Sequence, residues 1–534
     1  MRSASRRSSA RLLARPLALA LALLPLVTAC RGRDSTATRK TLIDSRDTYD
    51  PRSLDPALST DVPTGRAVSY VFDGLTRFTA DARLEPALAE RWEVSSDGRT
   101  YTFALRRGVT FHDGQPLLAR HVVRSFERVL APGSTAGRRF PLEPILGARA
   151  FEDGKAKSIA GLRAPNDSTV VITLTEPLAI FPKLLAMPVA SIVPDSTPAG
   201  FGQHPIGTGP WVFTEWHHDD YLRFARNEHY WGGAPKAESL MARIIPEPST
   251  AVAEFESGNV DILVVPPGDR RAWEQTDEKK AMLQSAPALI LYYVAINTQR
   301  GALKDPRVRQ ALNHAVDTRT MLDELFGGRG RAANGVIPSV LEGADTTRAA
   351  FAYDPARAKQ LLAAAGFPSG IDLELWHSQD ATIARLAQAV QGYLAQAGIR
   401  AKLVQREASS VREASRKGET DLILKTWYAD YPDAENFLYP LLHSANEGVG
   451  GNVSFYRNAA YDSLVTRARR DLNDAERIAL YRQADALEFA DAPMIYLFFA
   501  DELFAVQPWI QNFKVPSVFN AQRWLDVTMA GPGR

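Results

Sequence analysis

The chain has a single cysteine in 534 residues, Cys30, so it cannot close an internal disulfide. Long apolar runs are also missing. The longest, Leu17 to Val27, covers about eleven residues, and a membrane-spanning helix needs about 20. Neither sign of charge dominates: 63 Lys and Arg stand against 61 Asp and Glu, a formal charge of +2. That balance gives no reason to expect a nucleic acid partner. Catalytic signatures are absent too. There is no His-Glu-x-x-His and no paired cysteine set for zinc. There is no Gly-x-Ser-x-Gly elbow and no Walker-type Gly-Lys-Ser/Thr loop. Gly207-Thr208-Gly209-Pro210 and Gly328-x-Gly330 are lone glycine turns with little phosphate-binding character. No internal repeat or low-complexity tract follows the N-terminal region. The sequence therefore calls for no cofactor and no metal.

What is present begins at the N-terminus. Arg2, Arg6, Arg7, Arg11 and Arg15 precede the apolar run, with no acidic residue among them. A basic start, a short apolar stretch and small residues after it describe a secretory signal peptide over residues 1–29. Losing its five arginines takes the formal charge from +2 to −3. Leu26-Val27-Thr28-Ala29-Cys30 resembles a bacterial lipobox, in which the cysteine becomes the lipidated first residue. Residues 30–40 are polar and irregular and read as a flexible tether. Acyl chains on Cys30 would hold the protein at a membrane without a spanning helix.

The remaining length exceeds what one hydrophobic core supports, so two or three domains are expected. Strand and helix patterns mix throughout. Thr100 to Phe111 and Ser168 to Thr175 alternate as strands, and Leu117 to Leu130 is helical between them. Asp305-Pro306 starts a helix predicted to reach about Phe326. Asp354-Pro355 starts another, with Gly366 as a stop. Ile383, Leu386, Val390 and Leu394 share a helix face that ends at Gly398, and strand Ile399–Val404 follows. Asn473 with Glu476 caps a helix through Phe489. Ala492-Pro493 ends it before the strand Met494–Phe499. His217-His218-Asp219-Asp220 reads as a polar hairpin turn rather than a metal cluster. His112-Asp113-Gly114 reads as a turn as well.

Trp427-Tyr428-Ala429-Asp430-Tyr431-Pro432-Asp433 is the most suggestive stretch. It follows a strand pattern, Asp421 to Lys425, and puts aromatic area and acids at a strand end, where ligand clefts tend to lie. A buried Asp needs a cationic or hydrogen-bonding partner, and a ligand ammonium group could supply it. A structural turn with core aromatics accounts for the same residues.

Larger blocks carry a family likeness. Leu88 to Phe103 (LAERWEVSSDGRTYTF) and Leu105 to Gly114 (LRRGVTFHDG) are similar to the signature region of the family 5 extracellular solute-binding proteins. These are the receptors of bacterial peptide and nickel ABC importers. Ile206–Pro210, Arg226–Trp231, Glu256–Asp261, Asp305–Leu312 and Trp427–Phe437 continue the match in family order, spanning Leu54 to Phe499. The resemblance implies an α/β, two-lobed periplasmic-binding-protein (Venus flytrap) fold with an extra subdomain in lobe one. Lobe one would take residues 41–287, lobe two 288–501, and residues 502–534 would return to lobe one. It implies a monomer at the periplasmic or cell-envelope side, capturing di- to oligopeptides for ABC permease subunits. Carried over residue by residue, Asp430 would pair with a peptide α-ammonium. Trp427, Tyr428, Tyr293, Thr60 and Val62 match other ligand-contacting positions. Two departures bear on the far end of a peptide. Leu424 stands where oligopeptide receptors can carry an Arg, and Trp376 to Thr382 lacks the Arg of dipeptide receptors. Lys425 and Arg385 are the substitutes at hand. A metal chelate, haem, a sugar or an opine is the alternative ligand on the same fold, and a lipid-anchored hydrolase the remote alternative.

Replacing Cys30 with Ser should abolish incorporation of labelled palmitate in cells and release the protein from the membrane fraction. Undiminished labelling would remove Cys30 as the anchor.

Overall fold

The structure is a computed structural model describing residues 40–530. The leader, Cys30 and nearly all of the tether lie outside the described residues. An 11-stranded sheet forms the frame. Its order runs 399–405, 371–377, 422–428, 283–296, 494–506, 262–264, 41–47, 239–244, 221–226, 211–217, with 330–332 pairing off this path onto 494–506. Strands 371–377 and 399–405 are parallel, from Ile371 opposite Ile399 to His377 opposite Gln405. Helix Ala381–Gln396 connects them and buries Leu386, Val390 and Leu394, the face that the apolar spacing predicts. A second sheet of four antiparallel strands, ordered 89–94, 100–105, 169–173, 162–166, stands apart. Helix Ala119–Leu130 covers it, and Val122, Phe126, Phe103 and Ile172 share one core.

Helix starts follow their caps. Asp305 accepts from the Arg307 amide and Asp354 from the Arg357 amide, both at 2.8 Å, and Asn473 accepts from Ala475 at 3.0 Å. The helix expected from Pro306 to about Phe326 is two, Pro306–His314 and Thr318–Phe326. Asp317 accepts from the Thr320 amide at 3.0 Å, so a second cap inside the run restarts the helix. The strand expected from Thr100 to Phe111 ends at Leu105, where a turn at Arg107-Gly108 takes over. His217–Asp220 forms the hairpin tip between strands 211–217 and 221–226. Its two imidazoles engage different acids: His217 meets Glu215 at 2.6 Å and His218 meets Asp50 at 2.9 Å.

Strands 283–296 and 494–506 pair antiparallel, from Leu283 opposite Ala505 to Ala295 opposite Met494. The register slips between Pro287 and Ile290 and again between Tyr292 and Tyr293. Proline lacks the amide a ladder needs, so the first slip falls where a hydrogen bond is already missing. Strand 494–506 feeds all four apolar clusters: Tyr496 and Phe499 the first, Ile495 and Leu497 the second, Phe504 and Val506 the third, Leu503 and Ala505 the fourth.

Buried acids cluster on helix Asp474–Asp491. Arg348 ion-pairs with Asp485, and the Tyr496 hydroxyl donates to Glu488. Burial, reinforced by the neighbouring Asp485, holds the Glu488 carboxyl well above its ordinary range. Such a group is neutral in the folded protein where it is ionised in the unfolded chain, so its contribution to stability falls as pH rises above about 4.5. Glu488→Gln keeps an acceptor for Tyr496 and removes the charge. Its gain in denaturant midpoint over wild type should therefore widen between about pH 5 and pH 8. A gain that is flat or shrinks over that range contradicts the assignment.

Candidate functional site

Strand Leu422–Tyr428 ends where the chain turns through Ala429-Asp430 toward helix Glu435–Leu442. That end faces helix Val62–Val71 and its N-terminal loop, and a narrow crevice separates them. Ser59, Thr60, Asp61 and Val62 form one wall; Tyr428, Ala429 and Asp430 form the other; Arg138, Met187 to Val189 and Phe519 close it. Its free volume is about 70 Å³. A second crevice of about 50 Å³ adjoins it and shares Val62, Tyr428, Ala429 and Phe519. Arg46, Arg66, Ala288 to Ile290, Glu502 and Pro516 to Val518 complete its lining.

Two glycines permit the close packing. A Cβ on Gly137 would meet Thr60 Cγ2 at 2.3 Å, so glycine brings the loop bearing Arg138 onto Thr60. A Cβ on Gly65 would meet the Phe519 ring at 2.4 Å, so glycine lets Phe519 lie across helix 62–71.

Charge is distributed unevenly between the two acids of the Trp427–Asp433 stretch. Asp433 is buried and receives Lys183 at 2.6 Å and Arg477 at 2.8 Å. Burial opposes its ionisation, but Lys183 and Arg477 hold its carboxyl below the usual range. Asp433 is therefore a structural ion-pair partner. Asp430 faces the crevice, and Arg138 from the opposite wall ion-pairs with it. The Asn436 side chain accepts from the Asp430 amide at 2.9 Å and from the Trp427 indole at 3.3 Å. One asparagine thus fixes both the tryptophan and the acid.

The expected site residues do not all meet. Asp430, Tyr428, Thr60 and Val62 line the first crevice. Trp427 lies behind them, packed against the first core. Tyr428 is 49% exposed, the most open aromatic of the group. Tyr293 is buried in the core, lines neither crevice, and its hydroxyl has no partner among the described residues. Leu424 is buried in the second core and faces away from both crevices. Lys425 is on the other face of that strand; burial, then Arg412 and Arg416, pushes its ammonium down to about 8. Arg385 is exposed on helix 381–396. Arg138, Phe519 and Glu502 escaped the sequence reading. Each lies far along the chain from the motif it faces, and no local pattern marks them.

The comparisons agree with this architecture. Residues 83–449 match the bacterial extracellular solute-binding proteins, family 5. The heme-binding protein A of Haemophilus influenzae is 30% identical over 96% of this chain and 99% of its own. The dipeptide-binding protein of Escherichia coli is 30% identical over 84% of this chain and 87% of its own. Among solved structures, the ABC transporter-associated periplasmic binding protein DppA from Helicobacter pylori, in complex with the peptide STSA, superposes with a TM-score of 0.78. It is 27% identical and covers 93% of this chain and 99% of its own.

The Arg138–Asp430 pair joins the two walls. Arg138→Ala should therefore enlarge the ligand-free protein's radius of gyration in small-angle X-ray scattering. An unchanged radius would mean that this pair does not hold the walls together. The fold, the crevice between facing walls and the match over most of the chain lead to one statement: this protein belongs to the bacterial extracellular solute-binding proteins, family 5, of the two-lobed type.

Proposed function

We propose that this protein is the substrate-binding lipoprotein of an ABC importer, which captures di- to oligopeptides between its lobes and delivers them to permease subunits. The carrying observation is Asp430, an acid turned into the crevice between facing walls and backed by Asn436 and Trp427. The family assignment and the peptide held by the Helicobacter pylori relative support the same reading. Membership of a solute-binding family supports binding as the role.

A peptide's α-ammonium takes the place of Arg138 on Asp430. Tyr428, Val62 and Thr60 then flank the extended backbone, with Trp427 fixing the strand end. Tyr293 brings its hydroxyl to the ligand when the walls part. The crevices together hold far less than the roughly 300 Å³ at which ligand pockets begin, so capture requires the lobes to open and reclose. Lobe one is assigned to residues 41–287, lobe two to 288–501, with 502–534 returning to lobe one. The bends lie at the strand slip near Pro287 and Asp501. Cys30 carries the lipid that anchors the protein on the envelope side of a membrane. A haem ligand is the second reading, favoured by the likeness to the Haemophilus influenzae heme-binding protein A. Mass spectrometry of ligand released from purified protein separates the two.

Asp430→Ala should weaken binding of Ala-Ala-Ala by at least about tenfold, or about 1.4 kcal/mol, in calorimetry. N-acetylation of the peptide should cost the wild type a similar amount and the variant little. Unchanged affinity in the variant would take Asp430 out of the site.

A further inference from the structure

Asp430 has Arg138. The acid of the adjoining crevice, Glu502, has no such partner. Its carboxylate makes no hydrogen bond and no ion pair at contact distance among the described residues. It projects from strand 494–506 beside the register slip, where Glu502 stands opposite Ala286. Burial raises its carboxyl above the ordinary range, and three guanidiniums partly offset this from further off: Arg66, Arg46 and Arg329. Each is committed elsewhere. Arg46 binds both oxygens of Asp44 at 2.9 Å and the Tyr70 hydroxyl at 3.0 Å. Arg66 ion-pairs with Asp47. Arg329 donates to the carbonyls of Val265 at 3.2 Å and Phe326 at 3.3 Å. Glu502 also acts on Tyr428, whose ring is a wall of both crevices.

Ionising a carboxyl in a narrow crevice without a direct partner is costly, and a cation placed there favours the ionised form and recovers the cost. Val62, Leu289, Ile290 and Phe519 give the lining apolar area, and the two guanidiniums that also line it, Arg46 and Arg66, are neutralised by Asp44 and Asp47. Apolar side chains beside an acid that has no direct partner suit an alkyl chain that ends in a positive charge. We propose that Glu502 is a second ligand-facing acid, which receives the cationic side chain of a basic residue while Asp430 receives the α-ammonium. The two acids reach a single ligand across the shared wall of Val62, Tyr428, Ala429 and Phe519. This rests on the peptide reading and narrows it to peptides that carry lysine-like or arginine-like side chains near the amino end.

The test is calorimetry on the full-length mature protein with tripeptides in which lysine or norleucine replaces each position of Ala-Ala-Ala in turn. At one position the wild type should prefer lysine by about tenfold or more. Glu502→Gln should erase that preference while holding the norleucine peptide within about twofold of its wild-type affinity. The substitution breaks no hydrogen bond, so its melting temperature should equal or exceed that of wild type. No lysine preference in the wild type overturns the proposal, whether or not the variant folds. A preference that survives Glu502→Gln also overturns it. If none of the tripeptides binds wild type, including Ala-Ala-Ala, the peptide reading fails on its own. Cadaverine then decides the role of Glu502: thermal stabilisation of wild type but not of Glu502→Gln supports it, and equal response of the two overturns it.

Discussion

One pair of antiparallel strands, 283–296 and 494–506, carries the whole molecule. Residues along 494–506 enter all four apolar clusters, so that strand is common to every cluster among the described residues. Neighbouring residues of 283–296 divide in the same way. Leu289, Leu291 and Tyr293 face the first core, and Ile290, Tyr292 and Val294 face the second. A strand buried on both faces has no polar side to spare, which explains its near-continuous apolar sequence. The constraint also limits where the molecule can bend. A slipped ladder at Pro287 has fewer hydrogen bonds to strain than the regular pairing on either side. Glu502 and the second crevice lie beside that slip, so the proposed ligand contact and the proposed bend would share one place.

Charge then sorts the cleft into fixed and adjustable parts. Asp433 and Asp430 stand three residues apart, and each meets a cation from a distant part of the chain. Asp433 is 4% exposed and shared by Lys183 and Arg477, and Lys183 also donates to the Pro432 carbonyl at 3.0 Å. Removing one cation would leave the other in place, so this contact is redundant and suited to holding shape. Among the described residues Asp430 has a single cationic partner, Arg138, whose side chain is 37% exposed. A partner so close to water loses little on letting go, because solvent takes over its hydrogen bonds. The same motif therefore supplies one acid that fixes the wall and one that can exchange its partner.

Local features of this arrangement were legible in the sequence, and long-range ones were not. Asp305, Asp354 and Asn473 announce helices because an N-cap acts within three residues, and all three accept the amides they should. Reading Asp317-Thr318 as a further cap would have found the break between Pro306–His314 and Thr318–Phe326. The Trp427–Asp433 stretch announces itself by composition. Its division of labour depends on Lys183, Arg138 and Arg477, and the first two lie 250 and 292 residues away from their acids. Nothing in the spacing of Gly137-Arg138-Arg139 says which acid it will meet. The expectation for Tyr293 comes from its place in the family motif, and in this structure its side chain turns into the core, because a period-2 strand sends each residue to one face.

Closure imposes a thermodynamic condition on any ligand. In this structure, cations already lie on both acids of the Trp427–Asp433 stretch, and Gly137 lets Thr60 pack directly on the loop of Arg138. Closing without ligand thus has favourable contacts of its own, and an incoming solute must replace them before it gains anything. The observed affinity is the intrinsic affinity reduced by the fraction of molecules that are open. A ligand that merely fills space displaces Arg138 and leaves Asp430 buried without a charge partner. A ligand with an amine replaces one cation by another at Asp430 and frees Arg138 to solvent. Under the proposed role of Asp430, selectivity for a positively charged end would follow from exchange at a carboxylate that is never left alone, with no cavity shaped for the rest of the solute.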